Sequence, residues 1–147
     1  MCWIVILILS IALQFKAAHW CGSNDKTVRI WDLDDLKVES IALDVHSDVV
    51  SSVIIQDNKV MSGSGDKTIR IWDLKNPKSE PIVLDGDYSA VVNSVAIQDN
   101  KVVSGSCDQT VRIWDLEDSK AEPIVLDGHS DYVNSIAIQG STLVWVK

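Results

Sequence analysis

Ser, His and Asp are the residue types of a hydrolase triad, and this chain carries all three at recurring places. Ser62 and Asp66 stand in "SGSGDKTIRIWDL" (Ser62–Leu74), and His46 lies upstream. A nucleophilic serine of this kind needs a strained turn that exposes its hydroxyl, and the chain lacks the nucleophile-elbow signal. The serine and aspartate also return in "SGSCDQTVRIWDL" (Ser104–Leu116), and the aspartate returns in "CGSNDKTVRIWDL" (Cys21–Leu33). A set that repeats with a tryptophan is better read as buried polar groups that need partners. The chain is therefore expected not to be an enzyme.

Other chemistry is thinner. His19 and Cys21 form a His-x-Cys pair without two further ligands at metal spacing, so no metal is expected. Cys107 precedes Asp108 in a turn and has no adjacent base to lower its thiol pKa. There is no phosphate loop, no zinc motif and no catalytic carboxylate pair, and no cofactor is expected. The net charge is −8, with Lys and Arg scattered singly, which excludes binding to a nucleic-acid backbone. Three cysteines (Cys2, Cys21 and Cys107) without a C-x-x-C do not read as a disulfide framework. Reduced thiols point to the cytoplasm or nucleus.

The elements that position these residues repeat. Trp31 and Trp72 lie 41 residues apart, and Trp72 and Trp114 lie 42 apart. "SSVIIQDNKVMSGS" (Ser51–Ser64) mirrors "NSVAIQDNKVVSGS" (Asn93–Ser106), and "EPIVLDG" occurs at Glu80–Gly86 and Glu122–Gly128. The runs are β-branched and alternating, so each unit is read as short strands between turns. In one unit these are Pro81–Leu84, Val91–Ile97, Lys101–Ser104 and Thr110–Trp114. In "TIRIWDL", Thr68, Arg70 and Trp72 share one face, and Ile69 and Ile71 the other. Gly65-Asp66-Lys67 is expected to reverse the chain, with Gly65 free to take a positive φ and Asp66 bonding nearby N–H groups. Each buried Trp needs an acceptor for its indole N–H.

Four short strands per unit, with three "RIWDL" endings in register, resemble the WD-repeat β-propeller family from about Lys26 to Gln139. The resemblance implies an all-β fold, a partial propeller of four-stranded antiparallel blades that does not close. It also implies that the stretch after Trp-Asp is the outer strand of the next blade. It implies a hydrogen-bonded chain across each blade, joining a loop His, a strand Ser or Thr, the turn Asp and the Trp. Carried over, the first full unit offers His46, Ser62, Asp66 and Trp72, with Ser64 as the alternative hydroxyl. The next unit has Ser104, Asp108 and Trp114, but Asp87 where a His is expected and one extra residue before Val92. The N-terminal unit has Asp25 and Trp31 with Cys21 at the Ser position. The last has His129, with Trp145 where the strand Ser belongs.

The family resemblance implies a protein-interaction scaffold whose loops meet peptides or other proteins. The candidate loop residues are Ser47, Asp48, Tyr88, Ser89, Ser130, Asp131 and Tyr132, with the turn residues Asn24, Gly65 and Cys107 beside them. The chain divides into an apolar segment (1–25), the repeat array (26–139) and a divergent strand (140–147). "CWIVILILSIALQF" (Cys2–Phe15) is too short for a typical membrane span and has the length of a signal-peptide core. It also contains "SIALQ" (Ser10–Gln14), which matches "SVAIQ" (Ser94–Gln98) and "SIAIQ" (Ser135–Gln139), so it reads as a degenerate inner strand. Two full units with partial units at both ends fall short of a closed ring. Another chain or further repeats are expected to complete it. The alternatives are a fragment of a larger WD-repeat protein, and a secreted or membrane-tethered propeller using residues 2–15.

Overall fold

The alternating β-branched runs form strands, and the Asp-, Gly- and Asn-containing breaks form turns. The computed structural model describes residues 24–30, 41–44 and 46–146. The readings placed on Ser10–Gln14, His19, Cys21 and Trp31 lie outside the described residues. β1 (Thr27–Ile30) pairs with β2 (Ile41–Asp44). β3 (Val50–Gln56), β4 (Lys59–Ser64), β5 (Ile69–Asp73) and β6 (Ile82–Leu84) make one four-stranded sheet in that order. β7 (Val92–Gln98), β8 (Lys101–Ser106), β9 (Val111–Asp115) and β10 (Ile124–Leu126) make a second. β11 (Ser135–Gln139) pairs with β12 (Thr142–Val146). All pairings are antiparallel. Among the described residues the only helix is a single 3-10 turn, Leu116–Asp118, capped by Asp115 Oδ1, which accepts from Glu117 N–H at 3.0 Å. The array is an unclosed set of propeller blades.

The outer strand belongs to a different blade from the one the sequence led us to expect. The stretch after Trp72-Asp73 pairs with β5 of its own blade, through Ile69↔Leu84, Arg70↔Val83 and Ile71↔Ile82. β10 returns to β9 in the same way. The physical reason is local. Asp73 Oδ1 accepts from Lys75 N–H at 2.9 Å, which turns the chain at once. The reversed segment then covers the otherwise bare edge of β5.

Neighbouring blades are joined at their inner strands instead. Ser51 Oγ donates to Val92 O, and Val95 N–H donates to Ser52 Oγ at 3.2 Å. One blade further on, Asn93 Nδ2 donates to Val133 O at 3.2 Å and Ile136 N–H to Ser94 Oγ at 3.2 Å. Gly63 lets the next blade approach closely: a Cβ there would stand 2.8 Å from Val92 Cγ1. At Gly105 it would stand 2.5 Å from Val133 Cγ1.

Among the described residues the buried apolar side chains form three clusters rather than one. Val28, Ile30 and Leu43 pack against Val50, Val60 and Trp72. Met61, Ile69, Ile71 and Leu84 pack against Val92, Val95, Val102 and Trp114. Val103 and Val111 pack against Val133 and Ile136. The two middle strands of each full blade, β4 and β5 or β8 and β9, are mostly buried on both faces, whereas the outer strands β6 and β10 leave Ile82, Val83, Ile124 and Val125 exposed.

The turns after β4 and β8 differ from expectation in one respect. The residue with positive φ is not Gly65 but Lys67, at 70°, and its equivalents Gln109, at 72°, and Lys26, at 68°. Thr68 N–H and Oγ1 both donate to Asp66 Oδ1, at 3.1 and 2.7 Å. These bonds fix the turn and force the residue between them into the left-handed region. Gly65 serves close approach instead, since a Cβ there would stand 3.0 Å from the Asp48 carboxylate.

Candidate functional site

The β2–β3 loop brings His46 over the first full blade. His46 Nδ1 lies 2.8 Å from Asp66 Oδ2, and Nε2 lies 2.6 Å from Ser62 Oγ. Ser62, not Ser64, is the hydroxyl in the chain. Ser64 Oγ donates to Val49 O at 2.9 Å and accepts from Asp66 N–H at 3.1 Å, holding the turn. Trp72 packs edge-on to the imidazole with ring centroids 6.0 Å apart. Burial alone would raise the Asp66 carboxyl, but hydrogen bonds from Thr68, His46 and the Ser47 N–H hold it at about 2. Burial pushes His46 below its ordinary value against the pull of Asp66. The ring is therefore neutral near pH 7, Nδ1–H donates to Asp66, and Nε2 accepts from the Ser62 hydroxyl. A serine that donates to a buried imidazole has triad geometry, but the set is enclosed: His46 is 6% exposed and Ser62 0%.

In the second full blade the histidine's place is taken by Tyr88. Its hydroxyl bonds Ser104 Oγ. The ring is buried, at 4% exposure, so Tyr88 is not the loop contact residue the sequence suggested. Asp87, the expected substitute, is exposed and takes φ 57° in the loop. A tyrosine has one polar hydrogen and nothing to offer the turn aspartate. Arg112 fills that gap: its Nη2 lies 3.2 Å from Asp108 Oδ2, and its guanidinium carbon sits 4.0 Å above the Tyr88 ring. Thr110 holds Asp108 Oδ1 as Thr68 holds Asp66, at 2.6 Å from Oγ1 and 3.0 Å from N–H. Burial raises the Tyr88 phenol above its ordinary value. Trp114 packs against Tyr88 at 6.5 Å between centroids; its buried Nε1 is outside ordinary hydrogen-bond geometry, but the indole still acts on the Tyr88 phenol and offsets part of the effect of burial there.

The signal for Tyr88 was present in the spacing. Tyr88 precedes Ser104 by the same 16 residues that separate His46 from Ser62. Counting forward from Gly86 stops at Asp87, because the extra residue lies in this loop. Arg112 carried no signal, since Arg29 and Arg70 hold the same repeat position.

In the outer units the sets are partial. Asp25 Oδ1 accepts from Thr27 N–H and Oγ1 at 3.1 and 2.8 Å. His129 meets Trp145 edge to face at 5.1 Å. The remaining loop residues gather at the end of the blades that bears His46 and Tyr88. Ser47, Asp48, Ser89, Ser130, Asp131 and Tyr132 are all exposed there, Tyr132 at 54%. Among the described residues no cluster of metal-ligating side chains occurs. No described helix is long and apolar enough to cross a membrane.

The model of the WD domain, G-beta repeat (WD40), matches residues 8–32, 38–73 and 79–115, more than half of the chain. The fold is similar to that of the computationally designed Ika4 protein, with a TM-score of 0.73 and 26% identity over 97% of this chain and 83% of that one. It is also similar to the computationally designed Ika8 protein, with a TM-score of 0.72 and 25% identity over 86% of this chain. This chain spans 38% of the length of Ika8. No curated protein matches the sequence. WD40 repeats generally serve as non-enzymatic scaffolds for protein interaction, and on these matches the chain belongs to the WD40-repeat family.

Proposed function

We propose that this chain is a non-enzymatic scaffold that presents the loops at one end of its blades to peptides or other proteins. The observation that carries the reading is the enclosure of the His46–Ser62–Asp66 set, which leaves no substrate a route to the hydroxyl. In the loop before β11, Ser130 and Asp131 precede one exposed aromatic, Tyr132. An aromatic ringed by polar groups is the usual composition of a binding centre. The net charge of −8 disfavours nucleic acid as the partner. Among the described residues two sheets have four strands, fewer than a closed propeller has, which supports completion of the ring by further repeats or another chain. The free thiol of Cys107 supports a reducing compartment such as the cytoplasm.

Peptides selected from a displayed library against the folded chain test this. Tyr132→Ala and Asp131→Ala are expected to weaken the selected peptides by about tenfold each, with the thermal midpoint unchanged. Binding indifferent to these loops would overturn the reading. So would ester hydrolysis that is lost on Ser62→Ala.

A further inference from the structure

In each full blade the loop before the inner strand lies against the turn after the second strand. The two blades make this contact with the same main-chain groups. Gly65 N–H donates to Val49 O at 2.8 Å, and Cys107 N–H donates to Val91 O at 3.0 Å. Ser64 Oγ donates to Asp48 O at 3.2 Å, and Ser106 Oγ donates to Ala90 O at 3.4 Å. Positions 48 and 90 are therefore equivalent, and so are 65 and 107. Their side chains differ as pairs. The first blade sets an aspartate against a glycine, the second an alanine against a cysteine.

Gly65 does not take a positive φ, so the backbone makes no demand for glycine there. Space does. A Cβ on Gly65 would stand 3.0 Å from both Cγ and Oδ2 of Asp48, tighter than packed atoms settle. The Asp48 carboxylate thus lies in the space that a turn side chain would fill. Its Oδ1 accepts from the Val49 N–H at 2.7 Å, which holds the group in place while the residue stays exposed at the loop end. In the second blade the alanine at 90 leaves room for the Cys107 side chain, whose Sγ accepts from Asn93 Nδ2 at 3.1 Å.

We propose that this loop–turn pair decides, blade by blade, whether the loop end presents a fixed carboxylate to a partner. Glycine in the turn admits the carboxylate. A side chain in the turn excludes it and restricts the loop to a small residue. The inference rests on the reading of these loops as the binding end and adds the chemistry met there. Asp48 takes a hydrogen-bond donor of a bound peptide, and the second blade offers no side-chain acceptor at the equivalent position. Cys107 serves as the filler of its turn.

A double-mutant cycle on the full chain, read by thermal melts, tests the pairing. Gly65→Ala is expected to lower the midpoint by about 3 °C in the parent, the scale of a mildly overpacked contact. In the Asp48→Ala background it is expected to leave the midpoint unchanged. In the second blade Ala90→Asp is expected to lower the midpoint and Cys107→Gly to restore it, which covers the case in which Gly65→Ala fails to fold. Equal costs in both backgrounds would overturn the proposal. Peptides selected from a displayed library against the parent are the binding probe. Gly65→Ala is expected to weaken them about tenfold, as Asp48→Ala does, because it moves the carboxylate without removing it. Peptides that need Asp48 yet bind Gly65→Ala as tightly as the parent would also overturn the proposal. Peptides that need Tyr132 and ignore both changes would overturn it while leaving the scaffold reading in place.

Discussion

Residue 46 decides how the first full blade responds to acid. The His46 ring is held below its ordinary value of 6.5 by burial, so the folded chain resists a proton that the unfolded chain accepts. Stability is therefore lost as pH falls below about 6.5. The Asp66 carboxylate, at about 2 against an ordinary 3.8, acts in the same direction lower down, its contribution disappearing as pH falls through that window. His46→Ala leaves Ser62 and Asp66 short of partners in a buried site and is expected to cost about 1–3 kcal/mol. His46→Tyr copies the arrangement around Tyr88, with Arg70 already 3.9 Å from Asp66 to take the part of Arg112. It is expected to melt above His46→Ala and to lose the mid-acid decline of the parent. Thermal melts of the three proteins between neutral pH and about pH 5 check this. That Tyr88 takes the histidine's place was legible only by counting back from the strand serine. Its bond to Ser104 and the ring contact with Arg112 depend on loop geometry that a one-residue insertion conceals.

The strands and turns were readable at the scale of elements because alternation and turn residues act locally. Which sheet owns an outer strand was not. A period is indifferent to where one sheet ends, and only the turn capped by Asp73 and Asp115 decides it. The glycines misled in a second way. Gly65 looks like the residue that supplies positive φ, whereas the Asp66 carboxylate bonds place that demand on Lys67. A lysine in the left-handed region is strained relative to glycine. Lys67→Gly is therefore expected to hold or raise stability by about 0.5–1 kcal/mol, whereas Lys67→Val is expected to lower it. Denaturant midpoints at unchanged slope check the pair.

Across the whole molecule, stability resides in the three interfaces between successive blades, each made by neighbours in sequence. Such arrays behave as sums of units and nearest-neighbour terms. The family was legible from three Trp-Asp endings. The close approach at Gly63 and Gly105 was not, because these look like ordinary strand glycines until the next blade is in place. The matching of interfaces also bears on how such a chain changes length. Val50, Val60 and Trp72 meet the first unit with the same residues that Val92, Val102 and Trp114 would bring. Excising residues 50–91, one period of 42, joins one compatible face to another. It also sets His46 at the proper spacing from Ser104, Asp108 and Trp114, giving the second blade the histidine it lacks. The shortened chain is expected to fold with a cooperative melt and a β-rich circular dichroism spectrum, and a cut displaced by half a period is not. Recombination between near-identical repeats can thus add or remove a blade in one step without redesigning a contact, so the number of blades can vary more freely than the sequence of any one of them.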